Sequence, residues 1–208
     1  MVREKMVDSI RTLETLELVG GALCLDFVNT INSRLNPEHD YLFQYSDLVG
    51  WATKVGVLSP TQSTQLQKRG KQNTKAAEAA LVRALSLRDL LYRLFSHTAK
   101  SSEPGEKDRQ SFIAEYGEAI SHGQLLKTDD HYTTIWKVDE SLDALLWPII
   151  YSAGKLLLSD ELAHVKECPG CGWLFLDTSK NQSRRWCSMN TCGVRDKMRR
   201  YHKRKQVK

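Results

Sequence analysis

Apolar residues recur at helical spacing through most of the chain. The clearest stretch runs from Thr74 to His97, where Ala77, Leu81, Leu85, Leu91 and Phe95 fall on one face with Arg83, Arg88 and Arg93 between them. Shorter helices are expected around it. Gly20-Gly21 precedes the apolar segment ALCLDFVNTI, and Asn36-Pro37 then marks a loop. Ser46 reads as the N-cap of a helix through Leu48, Trp51, Ala52 and Val55 that stops near Gly56. Ser59-Pro60 puts a cap and then a proline at the start of another. Phe112, Ile113, Tyr116 and Ile120 predict one more helix after the breaker SSEPGE. QLLK and YTTIWKV flank the polar TDDH and predict a β-hairpin, and a long apolar helix from about Ser141 to Leu158 should be kinked by Pro148. The expected fold is mainly α with a small β-hairpin, followed by a different kind of module. The boundary falls near Ala163 to Glu167, dividing a helical sensing or dimerisation domain, 1–163, from a finger, 164–208.

The cysteines define that module. Four of the five lie between Cys168 and Cys192, as Cys168-x2-Cys171, 15 intervening residues, then Cys187-x4-Cys192. Two close pairs across a span that can form a hairpin are a four-thiolate zinc pattern. Pro169, Gly170 and Gly172 let the first pair curl so that both sulfurs face one point. WLFLD and RRWCS have β character and TSKNQS is turn-like, so a hairpin is expected between the pairs and a helix from about Gly193 to Lys205 after them, in a treble-clef-like arrangement. Four thiolates leave zinc no open position, so one structural zinc is expected; an iron–sulfur cluster would accept the same ligands. Cys24 stands alone in an apolar segment and reads as a core thiol.

Charge sharpens the picture. The net charge of +5 conceals 12 Lys and Arg against 3 Asp and Glu from Val165 to Lys208, with 18 against 22 in the remainder. A mildly acidic body carrying a strongly basic end suits a polyanion. Arg184, Arg185, Arg195, Lys197, Arg199, Arg200, Lys203 and Arg204 are the candidate nucleic-acid contacts. Val194, Met198 and Tyr201 form a narrow apolar stripe on the same helix, expected to pack on Trp173, Phe175 or Trp186.

The segment CPGCGWLFLDTSKNQSRRWCSMNTCGVRDKMRRYHKR resembles the CGNR zinc finger, and the body, through GGALCLDFVNT and ALSLRDLLYRLF, resembles the ABATE domain that precedes that finger. The resemblance covers nearly the whole chain. It implies a bacterial stress-response transcription regulator that binds double-stranded DNA. The chain departs from the family motif at one place: CGVR stands for CGNR, so Val194 replaces asparagine.

In the body, Asp26, Asn29, Thr30 and Arg88 are polar residues within apolar segments. They are the candidates for a small-molecule effector pocket or a buried network, with the face carrying Asp26 and Asn29 expected to meet Arg88. No nucleophile–base pair, phosphate loop or catalytic metal set is visible, so the chain is not read as an enzyme. RNA binding, or a small-molecule-binding or enzymatic body with an accessory finger, are the alternatives. A homodimer is expected as one route to enough DNA contacts. The longest apolar run, Ala144 to Tyr151, is too short to span a bilayer, no export signal precedes it, and the expected location is cytoplasmic.

Overall fold

The computed structural model describes residues 12–206. Helices α1 (Leu23–Val28), α2 (Tyr45–Lys54), α3 (Pro60–Gln72), α4 (Thr74–Ala99) and α5 (Glu106–Ser121) are followed by the antiparallel hairpin β1 (Gln124–Lys127) and β2 (Tyr132–Ile135). Helix α6 (Trp147–Leu157), the antiparallel pair β3 (Val165–Glu167) and β4 (Leu174–Leu176), and α7 (Val194–Gln206) complete the chain. The fold is mainly α with two small hairpins, and ends in the expected combination of hairpin and helix. Among the described residues, no helix is long and apolar enough to cross a membrane.

Helix α1 is short, yet it lies at the centre. Its Cys24, Leu25, Phe27 and Val28 are all fully buried, packed among α4, α6 and β4. The α4 stripe supplies Ala77, Leu81, Leu91 and Phe95 to the same core, as its spacing predicts. Ser59 caps α3 as read, and Gln62 completes a capping box with it.

Two local expectations change. Helix α2 begins at Tyr45, so Ser46 lies inside its first turn; Asp47 turns back instead, its carboxylate accepting the backbone N–H groups of Phe43 and Gln44 at 3.1 Å each. The apolar run before Trp147 forms a short 3-10 turn, Ala144–Leu146, and Pro148 sits in the first turn of α6. A proline there forfeits no hydrogen bond, because first-turn N–H groups have no helical partner, so Pro148 starts the helix instead of kinking it.

The finger hairpin is also wired differently from the expectation. Strand β4 pairs with β3, which precedes the first cysteine pair, in the register Val165↔Leu176, Lys166↔Phe175 and Glu167↔Leu174. RRWCS, its expected partner, runs without regular structure up to the second cysteine pair. Pairing across the knuckle closes a shorter loop, and the knuckle itself serves as the hairpin turn.

This hairpin is built into the body. Leu174 and Phe175 are fully buried in the same hydrophobic core as Leu25 and Phe95. The outer edge of β4 is covered by the α1 region. The Asn29 amide donates to the Leu174 carbonyl at 2.8 Å, Leu174 N–H donates to Asn29 Oδ1 at 3.0 Å, and Leu176 N–H donates to the Gly20 carbonyl at 2.8 Å. On the other strand, Glu167 accepts from Ser96 at 2.6 Å and pairs with Lys100 at 2.9 Å, fixing β3 to α4. Gly21, at φ +79°, lies so close that a Cβ there would come within 3.2 Å of the Leu176 side chain.

Candidate metal centre and basic helix

Cys168 and Cys171 occupy the turn between β3 and β4. Cys168 N–H donates to the Trp173 carbonyl and Gly172 N–H to the Cys168 carbonyl, both at 2.8 Å, which curls the backbone around the two sulfurs. Gly172 adopts φ +74°, and a Cβ there would fall 2.8 Å from the Arg34 side chain, so glycine is required twice over. The body braces this knuckle from outside: Arg34 N–H and the Ser33 hydroxyl both donate to the Cys171 carbonyl, at 2.7 and 3.1 Å.

The second pair is set by Arg184 and a wide turn. Arg184 Nε donates to the Trp186 carbonyl at 3.0 Å, its Nη2 donates to the Cys187 carbonyl, and the guanidinium lies 4.5 Å from the centre of the Phe175 ring. Cys192 then sits in a single π-helical turn, Met189–Gly193, leading directly into α7. Asp177 anchors the connection. Its fully buried carboxylate pairs with Lys166 at 2.6 Å and accepts from the Ser179 hydroxyl at 2.6 Å and from Arg184 N–H at 2.9 Å. Burial alone would push this carboxyl up; these donors hold it well below the usual carboxylate range.

All four sulfurs lie within 4.8 Å of one another, all four side chains are buried, and none is in a disulfide. Cys187 Sγ lies 3.5 Å from Cys171 Sγ and 3.8 Å from Cys192 Sγ. A tetrahedral zinc with Zn–S of about 2.3 Å separates its sulfurs by about 3.8 Å. The donor set therefore fits one structural zinc, which would tie the hairpin turn to the start of α7. A cluster of several irons needs its thiolates spread more widely.

Helix α7 departs from expectation in orientation. Val194, Met198 and Tyr201 do not pack on the hairpin; they are 50%, 54% and 53% exposed. Trp173 and Trp186 are buried without them, Trp173 donating to the Ile31 carbonyl at 2.6 Å. The residue that α7 buries is Asp196, which pairs with Arg199 at 2.7 Å and Arg200 at 2.9 Å. The eight candidate cations thus divide. Arg184 is turned inward. Arg199 and Arg200 share Asp196 but remain largely exposed. Arg185, Arg195, Lys197, Lys203 and Arg204 are exposed and make no ion pair among the described residues. Lys205, which sequence reasoning passed over, joins them; its ammonium lies 4.8 Å from the centre of the Tyr201 ring.

Of the four body residues only Thr30 and Arg88 meet. Asp26 caps the chain entering α1, accepting Gly20 N–H at 2.8 Å, and does not meet Arg88. Asn29 clasps β4 as described. Arg88 donates to the Thr30 carbonyl and hydroxyl at 3.1 Å each, and grips Asp40 with two bonds of 2.7 and 2.6 Å. Asp40 was missed because it lies in a loop 48 residues from Arg88, where no local pattern marks it.

No curated protein matches the chain. Two family models do. Residues 164–205 match the CGNR zinc finger. Residues 21–160, more than half of the chain, match ABATE, described as "Putative stress-induced transcription regulator". The match to the finger takes in all four clustered cysteines and the basic helix that follows them, and the match to the body takes in α1 through α6. The chain belongs to the ABATE family and carries a CGNR zinc finger after its ABATE region.

Proposed function

We propose that the protein regulates transcription by binding duplex DNA through α7, with zinc holding that helix on the body. The observation that carries this reading is the fate of the acidic side chains. The described finger holds three, and each is engaged inside the molecule: Glu167 with Lys100, Asp177 with Lys166, and Asp196 with Arg199 and Arg200. The remaining cations from Arg185 to Lys205 are exposed and have no finger carboxylate left to pair with, and only Arg195 shares a cleft with a body carboxylate, Glu17. Such a surface repels itself unless a polyanion neutralises it. Duplex DNA is favoured over RNA because Trp173 and Trp186, the aromatics best suited to stacking on unpaired bases, are buried.

Binding is tested by salt titration on duplex DNA and on structured RNA at matched ionic strength. Each neutralised phosphate releases condensed counterion, so about six contacts give a slope of log K against log salt of roughly −5. Replacing Lys197 and Arg204 together with alanine should make the slope shallower by about 2 units while zinc content stays at one per chain. Absence of salt-dependent binding to any duplex would overturn the proposal. Tighter binding to RNA at every salt concentration would move it to that partner.

A further inference from the structure

The exposed stripe on α7 asks for an occupant. Val194, Met198 and Tyr201 repeat at i, i+4 and i+7, and Met189, 65% exposed, extends the same apolar surface into the preceding turn, its sulfur seated over Gly193. At about 100° per residue, Asp196 stands roughly 160–200° around the helix from Val194 and Met198. Because Asp196 is the buried side, the stripe points away from the finger. The finger has closed its own core without it.

The flanks identify what fits. Arg195 borders the stripe on one side, about 100° from Val194, and Lys197 and Arg204 border it on the other, about 60–80° away. Lys205 covers its far end over Tyr201. No acidic residue of α7 lies on either flank, and the one body carboxylate near it, Glu17, shares a cleft with Arg195 alone. An apolar strip with cations on both sides complements a groove with anionic walls and a partly apolar floor. The major groove of B-DNA is such a surface: it is wide enough for a helix, its walls are phosphates, and thymine C5-methyl groups stand on its floor. A second copy of α7 fits poorly, since antiparallel or parallel pairing would set cations against cations along both edges.

We infer that Val194, Met198 and Tyr201 form the base-facing side of α7 in the major groove, where they contact thymine methyl groups, while Arg195 reaches one phosphate strand and Lys197 and Arg204 reach the other. This rests on the DNA-binding reading above and adds to it a source of sequence preference. It also gives position 194 a role. The family is named for an asparagine at the place where this chain has Val194. An amide reads hydrogen-bonding edges, whereas valine reads methyl groups, so the two should prefer different base pairs.

The test uses full-length, zinc-loaded protein on an A·T-rich duplex made twice, once with thymine and once with uracil. The two duplexes share their phosphates and hydrogen-bonding edges and differ only in the C5 methyl groups. The uracil duplex should bind about fourfold more weakly for each methyl group contacted, with the same salt slope. In Met198→Gln, an exposed substitution that leaves the zinc site intact, the thymine-to-uracil ratio should fall toward one while the slope is unchanged. Equal affinity of the wild-type protein for the two duplexes, with a normal salt slope, would overturn the inference and leave α7 as a backbone contact alone. Loss of all salt-dependent duplex binding would instead bring down the DNA-binding reading on which it rests. Binding to phosphatidylglycerol vesicles that Met198→Gln abolishes, with no thymine–uracil difference, would assign the stripe to a lipid surface and overturn it as well.

Discussion

Stripping zinc from the protein should destabilise the helical body along with the finger. The reason lies in where the hairpin sits. The sequence alone suggests an appendage that could unfold by itself, but Leu174 and Phe175 are fully buried among body residues, and β4 is bonded along its outer edge to Gly20 and Asn29. The metal holds the turn of that hairpin through Cys168 and Cys171. In small zinc modules metal binding is worth about 10–16 kcal/mol, comparable to the whole stability of a typical domain. If even about 5 kcal/mol of it is felt by the body, the thermal midpoint of the helical signal should fall by roughly 10–20 °C on chelation, in a single transition. Cys24 gives an independent readout. It lies in α1, fully buried, and burial pushes its thiol up to about 12, so it alkylates only when the body opens. With zinc bound, Cys24 should resist N-ethylmaleimide; with chelator present, or in Cys187→Ser, it should be modified at a rate that tracks the loss of helix. Two separate thermal transitions, with Cys24 still protected after zinc is gone, would show that the body stands without its finger.

The features legible in the sequence are those encoded over a few residues. Ligand spacing fixes a metal site because a knuckle is made by neighbours; Ser59 and Pro60 mark a helix start because a cap reaches only three residues. The long helix α4 follows from its own periodicity. What escaped depends on partners far along the chain or on how much core remains to be filled. RRWCS carries the β character that marks it as the partner of WLFLD, whereas VKE, at the expected boundary, carries no such mark and is selected only by the short closure across the knuckle. Asn29 stood out as a polar residue in an apolar segment, but nothing near it shows that its amide completes the edge of a strand 145 residues away. The stripe on α7 is expected to face inward because apolar faces usually do, yet Trp173, Phe175 and Trp186 already fill the finger. The misplacement of Arg184 has the same origin: its charge suggested a phosphate, while its guanidinium was needed by the carbonyl groups of Trp186 and Cys187.

Replacing Asn29 with alanine should cost as much stability as truncating a fully buried core side chain. Strand β4 has a partner on only one side, and a strand edge enclosed by protein leaves N–H and C=O groups that water cannot reach. Asn29 answers both groups of Leu174 with one side chain, its amide N–H donating and its amide oxygen accepting, as a neighbouring strand would. Alanine leaves both unpaired in a fully buried position. At about 1–3 kcal/mol for each of the two orphaned groups, the loss is about 2–6 kcal/mol. For a chain of this size that is a fall of roughly 4–24 °C in the midpoint. Asn29→Asp separates hydrogen bonding from shape. The carboxylate can still accept Leu174 N–H, but it meets the Leu174 carbonyl with a second acceptor, so it should be no better than alanine despite being nearly isosteric. Because β4 leads out of the knuckle, both variants should also lose zinc faster to a competing chelator than the wild-type protein does. A midpoint within about 2 °C of wild type for Asn29→Ala, with zinc released at the wild-type rate, would mean that β4 is held by its apolar side chains alone and that the amide clasp contributes nothing.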